Sequence, residues 1–223
     1  MFFESSWVPV YQIFCFEGII LGSKVEGVMI EADIYFEESR VVIETPHLIL
    51  KSVEESDLPA YQVLFTDPAT MEKFADNEQR MKEVGIEAWK QQQMEKVAER
   101  IAVWVKRWQE EDPFSAFAVF RKDSGEMVGH IVAGHTRDFW QSELGYLIHA
   151  TQWHKGFGEE AVSAIVHRYL PALKANGHLV YELIANVRLD NTYSIRILEH
   201  VGMEKISEDE KWGSPRATYR YTY

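Results

Sequence analysis

The sequence has a single cysteine, Cys15, in 223 residues, so no disulfide can close within the chain and a reducing, cytoplasmic setting is expected. Basic residues are also scarce: 23 Lys and Arg stand against 35 Asp and Glu, a formal charge of −12. That balance argues against nucleic acid as a partner, because no surplus of cations is available to neutralise phosphates. No apolar run is long enough to span a bilayer. The most apolar stretch, Trp7 to Gly22, is broken by Pro9, Gln12, Glu17 and Gly18 and falls short of the roughly 20 residues a span needs. No membrane association is expected. The start, Met-Phe-Phe-Glu-Ser-Ser, lacks the positive charge of a secretory leader, and no small-residue cleavage site is evident. His and Cys do not cluster at metal-ligand spacing, so no metal site is expected, and there is no repeat or low-complexity segment.

What is present suffices for one sizeable core, and one domain with an appendage fits the length better than two domains. The most informative stretch is Gln152 to Ala161, Gln-Trp-His-Lys-Gly-Phe-Gly-Glu-Glu-Ala. It follows the strand-like run Leu144 to Ile148 and opens a segment with apolar residues at helical spacing: Ala161, Val162, Ile165, Val166, Tyr169, Leu170 and Leu173. Strand, glycine loop and helix bring free amides of a helical first turn towards whatever sits there, and an anion suits them. Gly156 and Gly158 taken alone fit an ordinary tight turn equally well.

The rest of the chain reads as follows. Val8 to Phe16, Gly27 to Phe36 and Arg40 to Glu44 mix β-branched and aromatic residues as strands do. Thr45 to Lys51 is a strand. Ser56-Asp57-Leu58-Pro59 caps a helix from Leu58 to Thr66, which Asp67-Pro68 ends. A long helix is expected over Ile86 to Glu111, burying a stripe of Trp89, Met94, Val97, Ile101, Trp104, Val105 and Trp108. Strands at Ser115 to Phe120 and Met127 to Ala133 flank a charged turn, and Ser142 to His149 follows. Leu179 to Ala185, Met203 to Ile206 and the alternating tail Arg216 to Tyr223 read as the last strands. Between them lies a short helix, capped by Asp190 or Asn191, with Ile195 and Leu198 inward and Gly202 closing it.

Two stretches carry a family resemblance. Trp153, Lys155, Gly156, Phe157, Gly158, Glu160 and Ala161 resemble the pyrophosphate loop of the GCN5-related N-acetyltransferases (GNAT), in the form found in the RimJ/RimL-like branch. Asn191, Ser194, Arg196, Leu198, Glu199 and Gly202 match that family's Asn-x-x-Ser-x-Arg-x-Leu-Glu-Lys-x-Gly-Phe element. Thr-Pro-His-Leu-Ile-Leu-Lys, at 45–51, is similar to its opening strand, and Met71 to Phe74 to the start of its substrate cleft. The resemblance implies an α/β (α+β) fold: a mixed, mostly antiparallel sheet of about seven strands flanked by helices. Residues 1–40 would then be an N-terminal extension, read as a strand hairpin packed on the main domain or on a second copy, and 41–223 the acetyltransferase domain. A departure is His154, which stands where a glycine is usual; its backbone should avoid positive φ, with the imidazole turned to solvent or against phosphates. Another is Met203, where an aromatic is usual.

The resemblance further implies acetyl-CoA as co-substrate, held by Tyr146, Leu147, Ile148, Trp153, His154, Lys155, Gly156, Phe157, Gly158 and Asn191, with Arg188 as a further cation. The acceptor would be a primary amine on a small molecule, a polyamine or a protein N-terminus, which the acidic surface would favour in cationic form. Glu143 is the leading base for the acceptor's proton, with His149, His135, Glu208, Asp209 and Glu210 as weaker candidates. A backbone N–H within Tyr146 to Ile148 would meet the charge on the carbonyl oxygen, and Ser194 or its neighbour Tyr193 the departing sulfur. As plain helix chemistry, Asn191 is a cap and Ser194 a first-turn residue satisfying a backbone group. The alternative to an enzyme is an acyl-CoA-binding sensor or interaction module without turnover. Self-association as a homodimer is an expectation from the apolar extension.

Overall fold

The computed structural model describes residues 31–37 and 40–223. The expected strand at Val8 to Phe16 lies outside them. Among the described residues nine strands form one sheet: β1 (Asp33–Glu37), β2 (Arg40–Glu44), β3 (Leu48–Ser52), β4 (Ala116–Arg121), β5 (Met127–His135), β6 (Gln141–Ile148), β7 (Glu182–Arg188), β8 (Glu204–Lys211) and β9 (Ser214–Thr222). Their order is β1-β2-β3-β4-β5-β6-β7-β9-β8. The seven strands from β3 onward correspond to the expected sheet, and β1 with β2 adds an antiparallel hairpin to its edge.

Helices cover both faces. On one lie α1 (Leu58–Thr66), α2 (Pro68–Met71), α3 (Asn77–Val84) and α4 (Ile86–Gln109); on the other lie α5 (Phe157–Ala164), α6 (Leu170–Ala175) and α7 (Thr192–His200). Alternation along the strands feeds two cores. Leu48, Leu50, Phe117 and Val119 pack under α5 and α6, while Ala116 and Ala118 face Trp89, Val97 and Ile101 of α4. The stripe on α4 differs in one place from the periodic reading. Met94 is exposed and Gln93 is buried instead, because Gln93 Nε2 and the Trp89 indole N–H both donate to Asn77 Oδ1, at 3.1 and 3.0 Å. A polar side chain satisfied in this way loses little by burial.

Every neighbouring pair of strands is antiparallel except β6 and β7. A parallel pair needs a crossover, and α5 to α6 supplies it. That crossover is one rod with a widened π turn at Ile165–Tyr169, where Leu170 N–H bonds to Ile165 O. Pro171 explains the widening: it has no N–H to give the preceding turn, and its ring would clash with the carbonyl of an ordinary α turn.

The start of α5 is tied to the start of β3 by one carboxylate. Glu160 accepts from Thr45 Oγ1 at 2.6 Å and His47 N–H at 2.7 Å, and its second oxygen lies 2.9 Å from His47 Nδ1. Glu160→Ala removes all three contacts and should lower the unfolding free energy by about 1–3 kcal/mol, a melting point lower by several degrees. An unchanged melting curve would mean that the carboxylate does not fasten the helix.

Candidate functional site

A cleft of about 1150 Å³ opens where β6 and β7 part. The two strands pair only at Gln141–Glu182, Ser142–Leu183 and Glu143–Ile184. Beyond Glu143, β6 continues to Ile148 bonded only to β5, and β7 continues to Arg188 bonded only to β9. Hydrogen-bond parity then decides which amides face the gap. His149 N–H bonds to Val128 O at 2.9 Å and Thr136 N–H to Gln141 O at 3.4 Å, so odd-numbered residues of β6 point their backbone at β5. The amides of Tyr146 and Ile148 therefore open towards β7. Leu147, between them, also lines the cleft, with its amide on the β5 side and its side chain packed against the α1–α4 core.

The loop after β6 is braced from three directions. The Trp153 indole donates to Ile148 O at 2.7 Å, Lys155 Nζ to Gln152 Oε1 at 2.7 Å, and Ala150 N–H to Thr70 Oγ1 at 2.9 Å. Gly156 takes φ 83°, and an added Cβ there would meet no protein atom within 4 Å. Glu160 N–H is the first to reach a helical carbonyl, Gly156 O at 3.0 Å, so the amides of Phe157 to Glu159 have no partner among the described residues. The Phe157 side chain is itself core, leaving only its N–H at the loop. Gly158 is needed for closeness, since a Cβ would lie 3.1 Å from Ile197 Cδ1 on α7.

His154 corrects an expectation. Its φ is +62°, the left-handed region the sequence reading had it avoid, and the exposed ring lies edge-on against Tyr193, 4.7 Å between centroids. The chain must turn sharply here to enter α5, and the bend falls on a residue with a Cβ at a cost on the order of 1–2 kcal/mol.

On α7, Asn191 acts as the cap, its Oδ1 accepting Ser194 N–H at 3.3 Å; both residues line the cleft. Tyr193 is exposed at the cleft mouth. The Tyr146 phenol crosses from β6 to donate to Ser194 O at 3.4 Å, and burial pushes its pKa up to about 12, so it stays a neutral donor. That bond escaped the sequence reading, since residues 48 apart are joined by the fold alone.

Glu143 points to the α1–α4 face, opposite to Leu144 and Tyr146, and accepts from Asn186 Nδ2 at 2.9 Å. The weaker candidates are placed elsewhere or engaged. His135 lines the cleft but lies 3.0 Å from Asp112, His149 bonds Thr151 Oγ1 at 2.9 Å, and Glu208, Asp209 and Glu210 lie exposed on edge strand β8. Arg188 is not free for a phosphate. Its guanidinium grips Asp190 at 2.8 and 2.9 Å and Glu78 at 2.8 Å, and it holds the Asp190 carboxyl below the usual carboxylate range. Among the described residues no metal-holding cluster occurs and no helix is long and apolar enough to cross a membrane.

Comparisons with known proteins agree with this geometry. Residues 47–204 match the acetyltransferase (GNAT) domain family. Ribosomal-protein-S5-alanine acetyltransferase from Vibrio fischeri superposes with a TM-score of 0.61 at 16% identity, over 81% of this chain and 96% of that one. RimL, a ribosomal L7/L12 α-N-protein acetyltransferase solved with coenzyme A, gives 0.61 at 15% over 79% and 94%. RimJ from Mycobacterium smegmatis, solved with CoA-disulfide, gives 0.55 at 16% over 86% of each chain. At such identities the likeness is one of fold.

If the left-handed bend at His154 is strained, His154→Gly should raise the unfolding free energy by about 0.5–1 kcal/mol, read by denaturant titration. A loss of stability instead would show that the ring contact with Tyr193 outweighs the strain.

Proposed function

We propose, for a chain that belongs to the acetyltransferase (GNAT) domain family, that it acetylates a primary amine approaching β6 from the α1–α4 face. As a member of that family it is an acyl-CoA-dependent N-acetyltransferase with acetyl-CoA as co-substrate. The observation that carries the proposal is the division of labour along one strand: loop amides at one end of the cleft, and Glu143 on the opposite face of β6 at the other. The residues present fit the co-substrate. Gly156 leaves open the space a Cβ would fill, and unpaired amides line both the loop and the strand gap.

When bound, acetyl-CoA supplies an acetyl thioester. The amides from Lys155 to Gly158 would hold its pyrophosphate at the N-terminus of α5. Tyr146 N–H and Ile148 N–H would fix the strand-gap portion and receive charge developing on the carbonyl oxygen. An alkylammonium is only about one part in 10³ free base at neutral pH, so its proton must be removed first. Glu143 takes that proton first, directly or through a water; the neutral amine then attacks the thioester carbonyl, the C–N bond forms, the C–S bond breaks, and the second N–H proton ends on the departing sulfur. Ser194, with Tyr193 as the alternative, donates to the departing thiolate.

The acceptor class rests on charge. The chain's −12 draws cationic amines, whether a protein N-terminus, a polyamine or another small amine. RimL is described as a ribosomal L7/L12 α-N-protein acetyltransferase and the Vibrio fischeri neighbour as a ribosomal-protein-S5-alanine acetyltransferase, which makes N-terminal peptides the first acceptors to assay. The same proposal takes 41–223 as the catalytic domain in the cytoplasm and 1–40 as an extension serving self-association.

Gly156→Val should weaken acetyl-CoA binding tenfold or more, about 1.4 kcal/mol by calorimetry, whereas a chain begun at Arg40 should bind as the full chain does. Equal affinity in a folded Gly156→Val protein would remove the loop assignment. In a thiol-release assay over an amine panel, Ser194→Ala should lower kcat and kcat/KM together by roughly 10²-fold with acetyl-CoA affinity intact. Normal turnover by Ser194→Ala with a defect in Tyr193→Phe would transfer the role to Tyr193.

A further inference from the structure

Behind Glu143 a row of polar side chains crosses the sheet on the α1–α4 face. Glu143 stands on β6, Asn186 on β7, Thr218 on β9 and Lys211 on β8. Leu183, Ala185 and Val187 alternate into the opposite core, which puts Asn186 on the same face as Glu143. Asn186 Oδ1 receives Lys211 Nζ at 2.7 Å and Thr218 Oγ1 at 3.0 Å, and its Nδ2 donates to Glu143 Oε1 at 2.9 Å.

Lys211 settles the orientation of the amide. An ammonium can only donate, so the atom facing it must be the oxygen, and the NH₂ is then compelled to face Glu143. The amide cannot flip without setting one donor against another. Thr218 adds a second donor at the same oxygen, and the row polarises in one direction, from Lys211 towards the carboxylate.

We infer that Asn186, locked by Lys211 and Thr218, is the positioning residue that holds the Glu143 side chain in place at the cleft. The bond from Asn186 Nδ2 fixes Oε1 and with it the plane in which the carboxylate lies. Other charged groups lining the cleft include His135 on β5, Glu72 and Lys73 after α2, Arg188 on β7, Asp190 before α7 and Arg216 on β9, with His154, Glu159, Arg196 and His200 around the glycine loop and α7. Several are engaged with one another: Lys73 lies 3.5 Å from Asp190, Arg188 holds Asp190 and Glu78, and His135 lies 3.0 Å from Asp112. Lys211 is the cation that acts on Glu143 through a bonded relay.

The inference rests on the reading of Glu143 as the base, and the test separates the two. A double-mutant cycle in the full chain is read as kcat and kcat/KM with the best acceptor of the amine panel, beside acetyl-CoA affinity by calorimetry. Asn186→Leu removes the donor and should lower kcat roughly tenfold with acetyl-CoA affinity intact, while costing nothing further in a Glu143→Gln background. Lys211→Met, on the edge strand, frees the amide to turn and should lower kcat less, which keeps the inference testable if Asn186→Leu folds poorly. A merely structural role would lower the melting temperature with kcat per folded molecule in place. Unchanged kcat in both variants, or a loss that persists in Glu143→Gln, overturns the inference; full activity of Glu143→Gln overturns the reading of Glu143 as base.

Discussion

The separation of β6 from β7 after three paired residues is the constraint on which the rest depends. Each strand is fully committed to its outer neighbour. β6 pairs with β5 from Ser142 to Ile148, and β7 pairs with β9 from Glu182 to Arg188, so the right-handed twist of the two half-sheets carries them apart. Unpaired strand amides are costly in a dry interior and useful at a ligand. Tyr146 and Ile148 are left in that position by parity, and the parallel start of the pair is what obliges the chain to return through α5 and α6, bringing the glycine loop to the same opening.

A strand open on one edge still has two faces, and here they are chemically unlike. Leu144, Tyr146 and Ile148 lie towards α5 and α7, an apolar wall interrupted only by the Tyr146 phenol reaching Ser194 O. Glu143 lies towards the α1–α4 side, where the polar row from Lys211 through Asn186 ends. The sheet is thin, so a group threaded through the gap can meet backbone donors and a carboxylate from opposite sides without either group moving far. The segment after α2 borders that second side, fastened by Lys73 to Asp190 and by Glu78 to Arg188.

Local features were legible from residues alone. The bounds Leu58 to Thr66 for α1 follow from a proline near its start and Asp67-Pro68 after its end, and the glycine loop follows from spacing within ten residues. What escaped was set by distant partners. Gln93 is buried because Asn77 waits for it, Arg188 is unavailable because Glu78 and Asp190 hold it, and His154 adopts a left-handed backbone because the turn into α5 demands it there. Asn186 gave no signal in the sequence: its bonds to Lys211 and Thr218 exist only once β8 and β9 fold back beside β7. Nor does composition reveal that the Leu147 amide faces β5 while those of Tyr146 and Ile148 face the gap.

The π turn at Ile165–Tyr169 is, in arithmetic terms, a helix carrying one residue too many between two fixed anchors, the glycine loop and the start of β7. A helical wheel drawn straight through it misplaces everything from Leu170 onward by about 100°. A register transferred onto this chain from a relative with an unbroken helix must therefore open a one-residue gap within that turn. Without it, every correspondence before Gly156 or after Lys174 would shift by one against the other.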